Sequence, residues 1–213
     1  MAASSPSARA SRGRRAPRAT GDDRERAILA TLEELLEDRP LHAISVDDLA
    51  RGAGISRPSF YFYFASKEAV LLSLFDRILA EGRAGQGDAI ERLADDPPAQ
   101  LRQGILAFFE TFRAHRAVTL AGAEARTTSA ELRAMWSRVM EAWVDEVATA
   151  ISSERARGAA PSGVAARDLA TALVCMNERV LHTTFAGDSP SVGEDDVVDV
   201  LVAIWLRAIY GDA

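Results

Sequence analysis

Five consecutive aromatic residues at positions 60–64 are the most distinctive chemistry in this 213-residue chain. Ser59, Tyr61 and Tyr63 alternate there with three phenylalanines, and a helix this short cannot bury every ring. A tyrosine hydroxyl can donate to a phosphate oxygen while its ring packs against a sugar or a thymine methyl. Lys67, the only lysine, follows. The run predicts a DNA-contacting surface; its alternative is a short core helix that carries solvent-facing tyrosines.

The elements that must position this run are predicted to be helices. Apolar residues at spacings of three and four indicate a first helix from Asp23 to just before Arg39 and Pro40. Ser45, with Asp48 three residues later, caps a short second helix that ends near Gly54. A third helix is expected over residues 57–64, with Ser56 as its cap and a proline in its first turn. Two short helices joined by a glycine-containing turn indicate a helix-turn-helix.

The remainder also has helical periodicity and no alternating strand pattern. Ser66 caps a fourth helix, which is expected to fade at glycines 82, 85 and 87. Further helices are predicted at about 99–113, 116–127, 130–157, 165–186 and 194–210. The chain is therefore predicted to be all-α with about nine helices. We expect a disordered basic arm at 1–20, a three-helix DNA-binding domain at 21–82 and a larger ligand-binding and dimerisation domain at 83–213.

The net charge of −6 is distributed unevenly along the chain. Residues 1–20 carry five arginines and no acid, whereas residues 21–82 carry seven basic and twelve acidic groups. The arm is either a handle for phosphate or a solvated tail. The sequence lacks the run of ~18 apolar residues that a membrane span needs. It shows no secretory signal and has a single cysteine, Cys175. We therefore expect a cytoplasmic protein without membrane contact.

Aromatic stripes in the second half indicate either an apolar cleft or an ordinary core. Trp136, Met140 and Trp143 share one helical face, and Phe108 lies on another. Asn177 follows an apolar stretch, so its amide needs a partner, either on a neighbouring helix or on a ligand. The last helix is apolar on more than one face, which predicts a homodimer.

Other classes of function receive less support from the residues. A di-iron carboxylate bundle needs Glu-x-x-His on two helices, and none occurs. The three histidines are scattered, and Cys175 lies in an apolar stretch that is typical of an inert core thiol. We therefore expect no catalytic site, no metal site and no cofactor. A helical-bundle enzyme and a helical protein-interaction scaffold remain the alternative functions.

The segment GISRPSFYFYFASKEAVL resembles the signature of TetR-family transcriptional repressors. The resemblance implies that Tyr61, Tyr63 and Lys67 touch DNA. It implies Ser45, Ser56, Arg57 and Ser59 as further DNA-contact candidates. The partner it implies is a double-stranded operator with an inverted repeat, bound by a homodimer.

Through MNERVL and the ending IWLRAIYG, the resemblance extends to EthR-type repressors, which control the gene of a mycobacterial monooxygenase that activates ethionamide. It implies an apolar tunnel for a small hydrophobic effector, with Asn177 as the polar group. The pocket residues expected beside it are Phe108, Trp136, Met140, Trp143 and Trp205. Leu101, Val174 and His182 depart from the EthR pattern, which puts the ligand preference in doubt. Effector binding is expected to tilt the fourth helix and release the repressor from DNA.

Overall fold

The computed structural model describes residues 20–211, and the regular structure of this part of the chain is entirely helical. A 3₁₀ turn at Leu41–Ala43 separates α1 from α2. The all-α prediction with about nine helices is confirmed, and the predicted basic arm lies outside the described residues except for Thr20. The helices are α1 (Gly21–Asp38), α2 (Val46–Gly52), α3 (Arg57–Phe60), α4 (Lys67–Gln86), α5 (Pro97–Ala114), α6 (Arg116–Ala125), α7 (Ala130–Ala156), α8 (Ala166–Ala186) and α9 (Val197–Tyr210).

Short polar side chains set the starts of the first helices. Ser45 and Asp48 form a reciprocal capping box at α2, which satisfies two backbone donors at once. Ser56 caps α3, and Ser66 caps α4 by accepting from the Ala69 N–H. Thr20 makes a second capping box at α1 with Asp23, although the sequence analysis counted it in the arm.

The third helix is shorter than predicted. It ends at Phe60, and residues 61–63 continue as a turn, here called the aromatic turn. The Tyr63 N–H donates to the Phe60 carbonyl at 2.9 Å, and the Phe62 N–H to the Ser59 carbonyl at 3.2 Å. These tighter bonds rotate successive side chains differently from an α-helix. The aromatic turn is therefore a tight bend and not a regular recognition helix.

The fourth helix is longer than predicted. Gly82 and Gly85 lie inside α4 and do not end it; the helix ends at Gln86, before Gly87 with its φ of 58°. A glycine inside a helix lowers helix propensity but does not forbid the conformation. The boundary expected at residue 82 therefore falls within α4, and the domain limits 21–82 and 83–213 stay a prediction.

Helix α4 lies between the two parts of the molecule. Its buried residues contact α1 on one side and α5 and α6 on the other. Farther along, α7 packs on α8, and α5 packs on α9. We call helices α1–α3 with the aromatic turn the head, and α5–α9 the body. In the described part of the chain, no helix combines the length and apolarity that a membrane crossing requires.

Helix α9 has a second apolar stripe that this single chain leaves uncovered. Val200 and Ile204 are exposed, and Ala208 follows at the same spacing. Cys175 on the neighbouring α8 is exposed as well. The expectation of a core thiol is therefore wrong for the single chain, because the apolar stretch around Cys175 turns only part of its circumference inward.

A buried carboxylate joins the ends of α7 and α9. Glu154 is 2% exposed, and the Tyr210 hydroxyl donates to its Oε2 at 2.8 Å. The Arg157 guanidinium, which donates to the same carboxylate, lowers the pKa of Glu154, and the Tyr210 hydroxyl lowers it further. Burial raises the pKa of Tyr210. The pair holds the C-terminal turn of α9 against the body.

We predict that Tyr210→Phe lowers the free energy of unfolding by ~1.5–3 kcal/mol, the range for a hydrogen bond to a charged group. Chemical denaturation at pH 7 measures this. The folded-state pKa of Glu154 is depressed, so its contribution is present above about pH 4.5 and lost as the pH falls through the folded pKa. The difference between wild type and variant should therefore shrink towards pH 3.

Tyr63→Phe is the matched control, because no hydrogen bond joins the Tyr63 hydroxyl to another described residue. Its unfolding free energy should equal that of the wild type. An equal loss in both variants would contradict the role given to the Tyr210–Glu154 bond.

Candidate functional site

The aromatic turn presents two rings to solvent. Tyr61 is 49% exposed and Phe62 is 88% exposed, whereas Phe60 and Phe64 are buried in the core of the head. Phe60 packs edge to face against the Tyr61 ring, with 5.5 Å between centroids. Tyr63 is half-buried. The two buried phenylalanines thus anchor a short bend whose tip carries an aromatic pair.

Phe62 is a surface residue that the sequence reasoning missed. That reasoning grouped it with Phe60 and Phe64 because the three alternate with polar residues. Phe60 and Phe64 are four apart, the spacing of one helical face, and Phe62 lies between them on the opposite side. Assigning residues 60–64 by a helical period, and not by strict alternation, would have placed Phe62 on the exposed side. Together with Tyr61 it makes the tip of the aromatic turn an exposed aromatic surface.

The serines predicted to touch DNA all take part in helix capping. The Ser45 hydroxyl accepts from the Asp48 N–H and donates to the Asp48 carboxylate at 2.7 Å. The Ser45 hydroxyl and the Ser45 backbone N–H both donate to the Asp48 carboxylate and lower its pKa. The Ser56 and Ser59 hydroxyls lie 2.8 Å apart. These hydroxyls lie at the starts of α2 and α3, and their DNA contact stays a prediction.

The two predicted cationic contacts already have partners within the head. Arg57 donates to Asp47 at 2.9 Å. The hydrogen bond with the Tyr61 hydroxyl raises the pKa of Arg57 most, and the negative charge of Asp47 raises it further. The Lys67 ammonium donates to three backbone carbonyls, at 2.8, 3.2 and 2.8 Å. Arg57 is exposed and can exchange its partner, whereas Lys67 is half-buried. DNA contact by Arg57 and by Lys67 also stays a prediction.

The body encloses an apolar cavity of about 120 Å³. Five of the six predicted pocket residues line it: Phe108, Trp136, Trp143, Asn177 and Trp205. Met140 does not, although it shares a face of α7 with the two tryptophans. The Trp136 and Trp143 rings pack edge to face, 5.8 Å apart, and leave Met140 outside the lining. Contact of these six residues with an effector stays a prediction.

Helix α4 reaches the cavity, which the sequence did not indicate. Phe75 and Gln86 of α4 line the wall, together with Leu101, Val174 and His182 from the body. The last three are the positions that depart from the EthR pattern. No local signal identifies Phe75 and Gln86, because they meet the cavity only through the packing of α4 on the body.

The side-chain amide of Asn177 has a hydrogen-bond partner for its oxygen. Its Oδ1 accepts from the Trp205 indole N–H at 2.9 Å, which joins α8 to α9. The amide oxygen is therefore fixed, and the amide N–H groups remain as donors on a side chain that lines the cavity. The neighbouring-helix alternative accounts for the oxygen and not for the nitrogen.

One charged pair borders the cavity. The Arg126 guanidinium lies 4.5 Å from the centre of the Trp136 ring and donates to Glu178 at 2.8 Å. Both residues are mostly buried and line the wall. Paired and stacked charges of this kind avoid the penalty of an isolated buried ion. The cavity thus has an apolar body and a polar border.

Phe75 and Gly122 bring α4 and α6 into close contact. A Cβ built on Gly122 would lie 2.8 Å from the Phe75 ring. Because Phe75 also lines the cavity and stacks edge to face with Trp136 at 5.6 Å, this contact joins the cavity wall to α4. Any larger residue at position 122 must displace the ring.

Two family models match the chain. The model described as bacterial regulatory proteins of the tetR family matches residues 28–74, which contain the aromatic turn and the start of α4. The model described as the C-terminal domain of the transcriptional regulator EthR matches residues 101–211, which contain most of the cavity wall.

Curated relatives and solved structures agree with these models. The chain is 57% identical over 202 residues to the HTH-type transcriptional regulator EthR of Mycobacterium tuberculosis H37Rv, covering 94% of each chain. It is 50% identical to the EthR of Mycolicibacterium smegmatis, over 95% of this chain and 94% of that one. A regulator from Saccharomonospora viridis, solved in complex with choline, has a TM-score of 0.70 at 20% identity and supports the fold alone; the alignment covers 87% of this chain and 96% of that one.

We predict that Gly122→Ala destabilises the protein by ~1–3 kcal/mol, the usual cost of overpacking a core. The added methyl would press against the Phe75 ring. Thermal and denaturant unfolding measure the change. Gly85→Ala in α4 is the matched control, because its Cβ would meet only ordinary contact at 3.5 Å. That control should be neutral or stabilising by up to ~1 kcal/mol, the gain in helix propensity. Equal stability of the two variants would contradict the close-contact argument.

Proposed function

Because this chain belongs to the TetR family of bacterial regulatory proteins, we propose that it is a repressor that a small apolar effector releases from an inverted-repeat operator. Regulators of this family bind DNA operators and are not enzymes. The observation that carries the proposal is the course of α4. This helix begins four residues after the exposed aromatic turn and lines the cavity with Phe75 and Gln86.

The aromatic turn supplies the DNA contacts that the geometry favours. Tyr61 and Phe62 project from a surface whose neighbours Ser59, Arg57 and Tyr63 carry donors. Rings of this kind pack against sugars and thymine methyls, and hydroxyls donate to phosphates. Ser45 and Ser56 add contacts at the starts of α2 and α3. Because residues 21–82 are net acidic, that part of the chain offers DNA these few placed groups and not a general positive field; the five arginines of residues 1–20 are the other source of positive charge.

The effector we propose is apolar and carries a hydrogen-bond acceptor. The wall is mostly aromatic and aliphatic, and the Asn177 amide offers donors after its oxygen is satisfied by Trp205. A cavity of about 120 Å³ approaches in size the ~150 Å³ engineered cavity that binds benzene. A larger effector must therefore move side chains of the wall.

Movement of that wall reaches the head by two routes. One route is α4 itself, which meets the cavity wall through Phe75. The other is His115 at the α5–α6 corner, whose Nδ1 contacts Glu33 of α1 and whose Nε2 lies 3.4 Å from Glu81 of α4. Tilting α4 changes the separation of the two aromatic turns in a dimer. Couplings of this kind amount to ~1–3 kcal/mol, about 5- to 150-fold in DNA affinity.

The dimer is proposed to form through α8 and α9. The uncovered stripe of Val200, Ile204 and Ala208 lies on α9, which its own chain covers on the other side. A two-fold axis at this face presents two heads to half-sites one helical turn or a multiple apart. A repressor acts where the chromosome is, so a cytoplasmic location is part of the proposal.

We predict that Tyr61→Ala and Phe62→Ala each weaken operator binding by ~1–3 kcal/mol, about 5- to 150-fold, the range for a lost base contact. Phe62→Ala should change thermal stability little, since that ring is 88% exposed, whereas Tyr61→Ala also loses its packing on Phe60. Electrophoretic mobility shifts on an inverted repeat upstream of the gene measure the affinity. Val164→Ala, at another exposed apolar residue outside the head, should bind as the wild type does. Unchanged affinity in both aromatic variants would exclude the turn from the interface.

We also predict that effector binding changes intrinsic fluorescence, because all three tryptophans line the cavity. An aromatic amide and its hydrocarbon analogue of equal size serve as paired probes. Asn177→Leu also frees the Trp205 N–H, an effect that both probes share. The variant should therefore weaken the amide by ~0.5–1.5 kcal/mol more than the hydrocarbon, the value of one neutral hydrogen bond.

The same amide should lower operator affinity of the wild type at saturation. A probe that binds the cavity tightly and leaves operator affinity unchanged would contradict the release mechanism while leaving DNA binding intact. Binding of the two probes with equal loss in Asn177→Leu would instead count against the proposed acceptor.

A further inference from the structure

Lys67 occupies an unusual electrostatic position. It is the first residue of α4, where the helix dipole presents its positive end and disfavours a cation. The side chain is half-buried and not extended into solvent. A lysine in this position needs nearby acceptors for its charge, and the structure supplies three of them.

All three protons of the ammonium are used inside the head. Nζ lies 2.8 Å from the Leu41 carbonyl oxygen, 3.2 Å from that of His42 and 2.8 Å from that of Ile44. An ammonium has three N–H groups and no acceptor. A phosphate oxygen could therefore gain a hydrogen bond from Lys67 only if a carbonyl lost one.

These carbonyls belong to the chain that enters α2. Leu41 and His42 lie in the 3₁₀ turn Leu41–Ala43, and Ile44 lies between that turn and Ser45, the cap of α2. Lys67 itself follows the aromatic turn by four residues. One side chain thus joins the segment before the helix-turn-helix to the segment after it, across 23 to 26 positions of sequence.

We propose that Lys67 is a positioning residue: its ammonium fixes the distance between the start of α2 and the aromatic turn, and it does not itself bind phosphate. The inference rests on the proposed function, since it concerns how the DNA-binding surface is held. If these three hydrogen bonds were broken, Ser45 and Tyr61 would no longer be held at a fixed distance from each other.

Reductive methylation tests the proposal, because Lys67 is the only lysine. Dimethylation keeps the positive charge and leaves one N–H in place of three. We expect it to weaken operator binding at least ~10-fold, about 1.4 kcal/mol, in protein that circular dichroism shows to be folded. A phosphate-binding lysine would retain its charge attraction and most of its affinity, and that result would overturn the proposal.

The salt dependence of binding gives a second readout. Lys67→Met should lower affinity without changing the slope of log K against log salt concentration. Loss of a phosphate contact would reduce that slope by ~0.9. Arg57→Gln is the control for a slope change. Reductive methylation also modifies the amino group at the N-terminus of the chain. Lys67→Met protein, methylated in the same way, shows how much of the effect comes from that group.

Labelling of the unmodified protein covers the case in which the variants fail to fold. A trace amount of an amine-reactive reagent should label Lys67 at least ~10-fold more slowly than the unfolded chain, with operator or without it. A lysine that reacts freely alone and is protected by operator would contradict the proposal. Failure of the wild type to bind operator would contradict the proposed function instead, and the labelling rate without DNA would still test the inference.

Discussion

Phe75 lies against Gly122 where α4 packs on α6, and its ring fills the space that a side chain at position 122 would occupy. The same ring forms part of the cavity wall and touches the Trp136 ring. Since protein interiors are close-packed, a ring held on both sides cannot move without moving a neighbour. The contact joins α4 to the cavity wall, and α4 begins beside the aromatic turn.

The head combines a rigid interior with a sparse outer surface. Its serines cap helices, Arg57 pairs with Asp47, and the Lys67 ammonium is held by carbonyls. Polar groups satisfied in this way fix the backbone, because breaking one leaves a partner unpaired. What remains free at the surface is chiefly the Tyr61 and Phe62 pair. Recognition by shape and a few contacts suits a unit whose net charge is negative.

The body has the opposite character, with a soft apolar interior and a fixed polar border. Its cavity is small for a ligand of ordinary size, for which pockets of ~300–1,000 Å³ are typical. The Arg126–Glu178 pair and the Trp205–Asn177 bond hold the polar border in place, whereas the rings of the aromatic wall are held by packing alone, apart from the Trp205 indole.

The family resemblance supplied the pocket roles of Asn177 and Trp205. Sequence alone determined the helices, their caps at Ser45, Ser56 and Ser66, the aromatic run and the aromatic faces with Phe108, Trp136 and Trp143. Those features depend on periodicity and on side-chain bonds to residues three positions away, which are local and can be read from spacing. Tertiary structure decided the rest: the bend that exposes Phe62, the continuation of α4 past Gly82, the exclusion of Met140 and the three acceptors of Lys67. Each depends on groups far apart in the chain, or on packing that overrides local preference. The ammonium of Lys67 shows the difference most clearly, since its identity is visible in the sequence and its partners lie more than twenty residues away.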